Sequence, residues 1–302
     1  MSDAITVRDV AYQAGRDFGI RDLAMTVPTG SVYGFLGPNG SGKTTTIRLL
    51  LGMLPAREGT INVLGHDVPA GVHKALAKIG YVPERLHLYP TLTVDETMRY
   101  HAAFYATWDG ARAETLRRQF SLRAEQSVDR LSKGESGKLM MLLALAHNPE
   151  LLVLDEPTDG LDPVVRRDVL TALLDFVATR GATVLISSHL VHEQERICDH
   201  VGVMDHGRLV AELPMATFRN GMKRLRVTRA VHANGNVPPF TLLARAGTAG
   251  REEEWVVRGW QPAMSEWFGN AGAELREVID LDLEESFVEL LRSARQTVPE
   301  EN

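Results

Sequence analysis

The segment Gly37-Pro38-Asn39-Gly40-Ser41-Gly42-Lys43-Thr44 fits the pattern G-x-x-x-x-G-K-[ST], in which a glycine-rich loop turns its backbone N–H groups toward phosphate. Val32-Tyr33-Gly34-Phe35 ahead of it reads as a short buried strand, and Lys43 to Leu51 reads as a helix that stops near Gly52. Strand, loop and helix N-terminus in that order let the loop amides converge on an anion that also faces the helix's unpaired donors and positive dipole end. Lys43 then reaches the β- and γ-phosphates, the Thr44 hydroxyl is placed to ligate Mg²⁺, and Thr45 contacts the α-phosphate side. These residues make the chain an expected nucleotide binder.

A second set of candidate groups lies at Asp155-Glu156-Pro157, behind the apolar run Leu151-Leu152-Val153-Leu154. Such a run reads as a strand buried on both faces, and open α/β sheets bind ligands at the carboxyl ends of their strands. Asp155 is expected to hold Mg²⁺, as the strand-end aspartate does in phosphate-loop NTPases, and Glu156 to polarise the attacking water. Thr183 to Ser187 reads as another parallel strand, which carries His189 to the same edge.

Composition narrows the classes. With 302 residues, 44 % apolar and 24 % charged, the chain reads as a globular protein with one large domain and a small one. The longest unbroken apolar stretch, Leu139 to Ala146, is far short of the roughly 20 residues that cross a bilayer. The segment Met1 to Arg8 lacks a basic leader and an apolar core, so a cytoplasmic setting is expected. A single cysteine, Cys198, excludes an internal disulfide and reads as a buried thiol. The net charge of −6, without a basic run, gives no nucleic-acid surface.

Between the two sites lies Leu131-Ser132-Lys133-Gly134-Glu135, and after them come Thr158-Asp159-Gly160-Leu161-Asp162 and Ser187-Ser188-His189. This order resembles the ATP-binding cassette (ABC) ATPases over about residues 5 to 213, with these elements as signature, D-loop and switch histidine. Pro163 to Arg167 and Trp108-Asp109 look most like the ATPase subunits of bacterial exporters. The resemblance implies ATP and Mg²⁺ as cofactors, and Glu156, His189 and Lys43 as catalytic groups. It implies a homodimer or pseudo-symmetric dimer in which Ser132, the Gly134 backbone and Asp162 act on the opposing copy's nucleotide. It further implies a membrane-spanning partner, export, and a place on the inner face of the cell membrane. Tyr12 stands where the family puts an aromatic ring under the adenine, and Phe18 competes for that role. Glu84 replaces the family's loop glutamine and can ligate Mg²⁺ through an oxygen, and Lys133 and Glu135 replace a glycine and a glutamine. A soluble ABC ATPase acting as a mechanical switch on ribosomes or DNA is the alternative, but a single set of motifs without sustained heptads lacks its usual features.

The elements that must position these groups follow. Independently of any resemblance, Ser132 with Glu135 three residues on, ahead of an apolar helical run, is a capping-box pattern, so Glu135 is assigned to its own helix start. Residues 4 to 82 alternate short β-like runs with turns, and Gly59 to Gly65 reads as a strand. Lys78 to Pro83 and Pro90 to Val94 also look strand-like, whereas Val94 to Tyr105, Gly110 to Phe120 and Leu139 to His147 read as helices. The expected class is therefore α/β: a phosphate-loop NTPase with a mixed β start, a mostly parallel core sheet and a helical subdomain. The expected ATPase domain is 1–213, with its helical part at about 85–150, and 221–302 forms a small α+β extension. Within the extension, Leu225 to Thr228, Trp255 to Arg258 and Glu274 to Leu281 read as strands, Pro262 to Phe268 and Leu283 to Ala294 as helices, and Pro299 to Asn302 as a frayed end.

Overall fold

Strands that are apolar on both faces need cover on both sides, and the central sheet of this protein has it. A computed structural model describes residues 3–15, 18–85, 87–228, 237–247 and 252–297. The chain opens with strands β1 (Asp3–Ala14), β2 (Phe18–Pro28) and β3 (Val32–Leu36), then helix α1 (Lys43–Leu50), strands β4 (Glu58–Val63) and β5 (His66–Val68), helix α2 (Val72–Leu76) and strand β6 (Ile79–Val82). Helices α3 (Val94–Ala102), α4 (Gly110–Gln119) and α5 (Lys133–Ala146) lead to β7 (Leu151–Asp155), α6 (Pro163–Arg180), β8 (Thr183–Ser188), α7 (Val191–Glu195), β9 (His200–Asp205) and β10 (Arg208–Pro214). A linking helix α8 (Met215–Asn220) precedes β11 (Met222–Thr228), β12 (Thr241–Gly247), β13 (Glu252–Arg258), α9 (Ser265–Asn270), β14 (Glu274–Asp280) and α10 (Leu283–Thr297).

The central sheet has the order β10-β9-β3-β8-β7-β6, parallel except for β10 at its edge. Successive residues of its strands enter opposite layers. Leu36, Leu152, Leu154, Val184 and Ile186 join α5 and α6 in one core, whereas Tyr33, Phe35, Leu151, Val153 and Leu185 join α1 and the antiparallel sheet β2-β1-β4-β5 in the other. Helix α5 is buried from Leu139 to Ala146, which explains its lack of a polar stripe. Cys198 is buried with its thiol donating to Gln194 Oε1 at 3.0 Å, and burial pushes its pKa up.

Two readings from sequence change. Pro90 to Val94 is not a strand: Thr93 caps α3 in a capping box with Glu96 and touches Ser127 only through an isolated bridge. The β-branched residues there suit the extended backbone of an N-cap as well as a strand. The third sheet, ordered β12-β13-β11-β14 and antiparallel, includes β12, which the sequence did not suggest because its residues are half-buried or exposed. The expected fraying of Pro299 to Asn302 lies outside the described residues.

Candidate functional site

Strand β3, wholly buried, delivers Gly37 to the carboxyl edge of the sheet, and α1 begins at Lys43. Gly42 precedes α1 with φ of 114°, a conformation open to glycine, and no side chain caps the helix. The first N–H groups of α1 are thus left for an anion, which suits phosphate. Space also selects glycine at position 37, since a Cβ there would collide with the Met204 carbonyl and the Ser41 hydroxyl. Lys43 is 6 % exposed and donates from Nζ to the Gly37 carbonyl at 2.8 Å and the Pro38 carbonyl at 3.4 Å. The same ammonium lies 3.2 Å from Glu156 Oε1.

Asp155 ends β7 fully buried, with Oδ1 accepting from the Ser187 hydroxyl at 2.7 Å and Oδ2 without a hydrogen-bond partner. Burial pushes its pKa up, Ser187 and the neighbouring Thr44 hydroxyl partly offset this, and the charges of Glu84 and Glu156 add to the rise. Glu156 follows with φ of 49°, in the left-handed region, and its N–H donates to Ser187 Oγ at 2.9 Å. One hydroxyl therefore orients both acidic residues. The Glu156 carboxylate meets His189 Nδ1 at 3.0 Å through Oε2, so it bridges the lysine of the loop and the histidine after β8.

A cavity of about 450 Å³ opens over the loop, lined by residues 39–45 together with Phe18, Glu84 and Glu156. Phe18 comes within 3.2 Å of a Cβ position at Gly42, whereas Tyr12 is not among the lining residues and packs half-buried against the core. Of the two aromatic candidates, the structure brings Phe18 to the loop. No group of three or more His, Cys, Asp or Glu among the described residues is arranged to hold a metal. A hard divalent cation drawing most of its ligands from phosphate and water fits the site, given the unpartnered Asp155 Oδ2 with Thr44 beside it.

Ser132, Gly134 and Asp162 stand apart from this cavity. Ser132 Oγ accepts from Glu135 N–H at 3.1 Å while Glu135 Oε2 accepts from Ser132 N–H at 2.9 Å, a closed capping box. Asp162 Oδ1 accepts from Val164 and Val165 N–H at 2.9 and 3.0 Å and so caps α6. A Cβ at Gly134 would come 3.1 Å from Val165, so the starts of α5 and α6 form one surface. The role of Ser187 escaped the sequence reading, although its place two residues before His189 was visible. Its role depends on the parallel register that pairs it with Asp155.

Comparison with known proteins agrees with this geometry. The family described as ABC transporter matches residues 20–159. Over 213 residues the chain is 37 % identical to the Nod factor export ATP-binding protein I of Burkholderia lata, covering 69 % of this chain and 70 % of that protein. It is 35 % identical over 216 residues to the bacitracin transport ATP-binding protein BcrA of Bacillus licheniformis, covering 71 % of each. A solved ATP binding subunit of an ABC transporter superposes with a TM-score of 0.65 at 31 % identity, covering 72 % of this chain and 92 % of that one. With the phosphate loop, the paired carboxylates and His189 gathered at one sheet edge, the chain belongs to the ABC transporter family, as one of its ATP-binding, ATP-hydrolysing subunits.

Proposed function

We propose that this ATPase hydrolyses Mg·ATP in a site completed by a second, head-to-tail copy, and that the cycle drives a separate membrane-spanning exporter. The observation that carries the catalytic reading is Glu156, whose one carboxylate reaches both Lys43 and His189 beside the phosphate loop. The amides of residues 39–45 and the Lys43 ammonium bind the phosphates, and Phe18 or Tyr12 covers the base. Thr44 and Asp155, with Glu84 in reach, would hold Mg²⁺, which would offset phosphate charge. Glu156 accepts the proton of the attacking water, and His189 holds that carboxylate and the γ-phosphate in register. Stabilisation of the transition state is then mainly electrostatic, through groups already in place.

A composite site is supported by the signature helix. Ser132 and Asp162 are exposed and do not line their own copy's cavity, while the start of α5 presents a dipole end suited to a phosphate bound elsewhere. A docking place for the membrane subunit is supported by exposed Tyr89, Tyr100 and Phe104, which pack edge to face next to the Glu84 loop. Among the described residues no helix is long and apolar enough to cross a membrane. Relatives named as ATP-binding proteins of export and transport systems support a conducting path in a separate chain, with this one on the ATP-bearing inner face. Relatives named for Nod factor export, bacitracin transport and linearmycin resistance support an outward direction.

Glu156→Gln is expected to accumulate an ATP-bound dimer, measured by size-exclusion chromatography with light scattering. A Glu156→Gln chain that stays monomeric with ATP sinks the composite site. Affinity purification from native membranes is expected to recover a stoichiometric integral membrane protein, and recovery of none removes the transport reading.

A further inference from the structure

Behind the phosphate loop, the turn that joins β9 to β10 is packed on it at several points. The Gly207 N–H donates to the Ser41 carbonyl at 2.8 Å. Met204 lies against both ends of the loop: its carbonyl blocks a Cβ at Gly37, its Cε is 2.9 Å from a Cβ position at Gly42, and its Sδ accepts from the Thr46 hydroxyl at 3.6 Å. Between these two residues comes Asp205, only 4 % exposed. A carboxylate so placed needs a compensating charge.

That charge comes from the C-terminal helix. Arg295 donates from Nε to Asp205 Oδ2 at 2.7 Å and from Nη2 to Oδ1 at 3.1 Å, a two-point grip on the carboxylate. The imidazole of His206 next to it is exposed, with Nε2 3.8 Å from Oδ1. Buried Leu290 and Leu291 help seat α10, which contacts α7, α8, β9 and β10. Without the guanidinium, Asp205 must take up a proton or admit water, and either course shifts the turn that backs Gly37, Ser41 and Gly42.

We propose that Arg295 is a positioning residue for the phosphate loop: by neutralising buried Asp205 it holds the Met204–Gly207 turn against the loop, so that the C-terminal helix sets the affinity for ATP. This rests on ATP binding at the loop. The test is calorimetric titration of Mg·ATP into the full-length chain and its variants. Arg295→Ala is expected to weaken binding by about tenfold, within the usual range for coupling between two sites. Arg295→Lys, which keeps the charge but not the two-point grip, recovers part of the loss. Asp205→Asn combined with Arg295→Ala recovers most of it, because a neutral amide needs no cation. Arg292→Ala, which removes only a pair with Glu289 inside α10, leaves the affinity unchanged.

An Arg295→Ala affinity indistinguishable from wild type overturns the proposal. So does an equal loss in the double variant, which would mark lost packing of α10 rather than an unpaired carboxylate. If Arg295→Ala does not fold, Arg295→Lys and the double variant decide: wild-type affinity in the first, or full loss in the second, counts against it. A wild-type chain that binds no ATP defeats the nucleotide reading itself, before any variant is compared.

Discussion

Two glutamates, half-buried Glu156 in the nucleotide site and buried Glu253 in the C-terminal sheet, are satisfied in different ways. Glu253 in β13 has both oxygens fixed: Arg245 donates to Oε2 at 2.7 Å and Oε1 at 2.9 Å, and Trp255 Nε1 donates to Oε2 at 2.9 Å. Around it Phe240, Trp255, Trp260, Trp267 and Phe268 interlock, and Arg245 stacks over Trp255 at 5.2 Å. Glu156 has a left-handed backbone, one oxygen facing Lys43 without hydrogen-bond alignment, and a lysine already shared with two carbonyls. Beside it, Asp155 Oδ2 and Ser41 Oγ are buried without partners. The satisfied pair fixes shape. The strained, half-satisfied cluster keeps contacts for a ligand to complete.

Exchanging the two roles is the sharpest way to break that contrast. Glu156→Gln is expected to lower ATP turnover by about 10²–10⁴-fold, the usual share of a positioned general base, with the unfolding midpoint nearly unchanged. Undiminished turnover removes Glu156 as the base. Glu253→Ala leaves the Trp255 N–H and the Arg245 guanidinium without their acceptor, a loss of about 1–3 kcal/mol in urea unfolding, with turnover per folded molecule retained. If Glu253→Ala instead costs turnover and not stability, the two regions are not divided as argued.

Acid titration sharpens the same contrast through opposite signs. Arg245, helped by Trp255, holds the Glu253 carboxyl below its usual range despite burial. Its folded pKa is lower than its unfolded one, so the stabilisation is present above roughly pH 4.3 and lost as pH falls through the folded value. Asp155 behaves in reverse: burial raises its pKa, and a penalty appears as pH rises through that value. Asp155→Asn, which can still accept from Ser187, is expected to raise the melting temperature at neutral pH without nucleotide while abolishing hydrolysis. A lowered melting temperature would place Asp155 with Glu253 as a structural carboxylate.

Much of the site was legible because its chemistry is contiguous. The loop Gly37 to Thr44, the apolar strand before Asp155 and the Ser132/Glu135 box each carry their own physical signal within about ten residues. What escaped depends on register or on long-range packing. Ser187 reaches the Asp155 carboxylate and the Glu156 N–H only because β7 and β8 pair in parallel, Asp155 beside Ser187. Tyr12 and Phe18 lie two rungs apart in one antiparallel strand pair, at Tyr12–Ile20 and Ala14–Phe18, and only the approach of that pair to Gly42 favours Phe18. The grip of Arg295 on Asp205 joins residues 90 apart, and nothing local to either predicts the other.

The smallest expected effect concerns Lys133, which stands where the family has glycine. Its ammonium lies over Gly160 and 3.8 Å from Asp159, with the two side chains 62 % and 53 % exposed. Ion pairs in such high-dielectric surroundings contribute about 0–1 kcal/mol and fade with salt, because water solvates each charge almost as well as its partner does. Lys133→Ala should therefore leave stability almost unchanged and alter turnover by less than about threefold, a difference that high ionic strength removes. Steady-state hydrolysis at low and high salt measures both. A tenfold change that persists at high salt would mean that this exposed contact fixes the 158–162 loop for the opposing nucleotide. Burial would then no longer separate the ion pairs that position the site from those that merely decorate it, and the contrast drawn from Glu253 and Glu156 would have to be rebuilt on geometry alone.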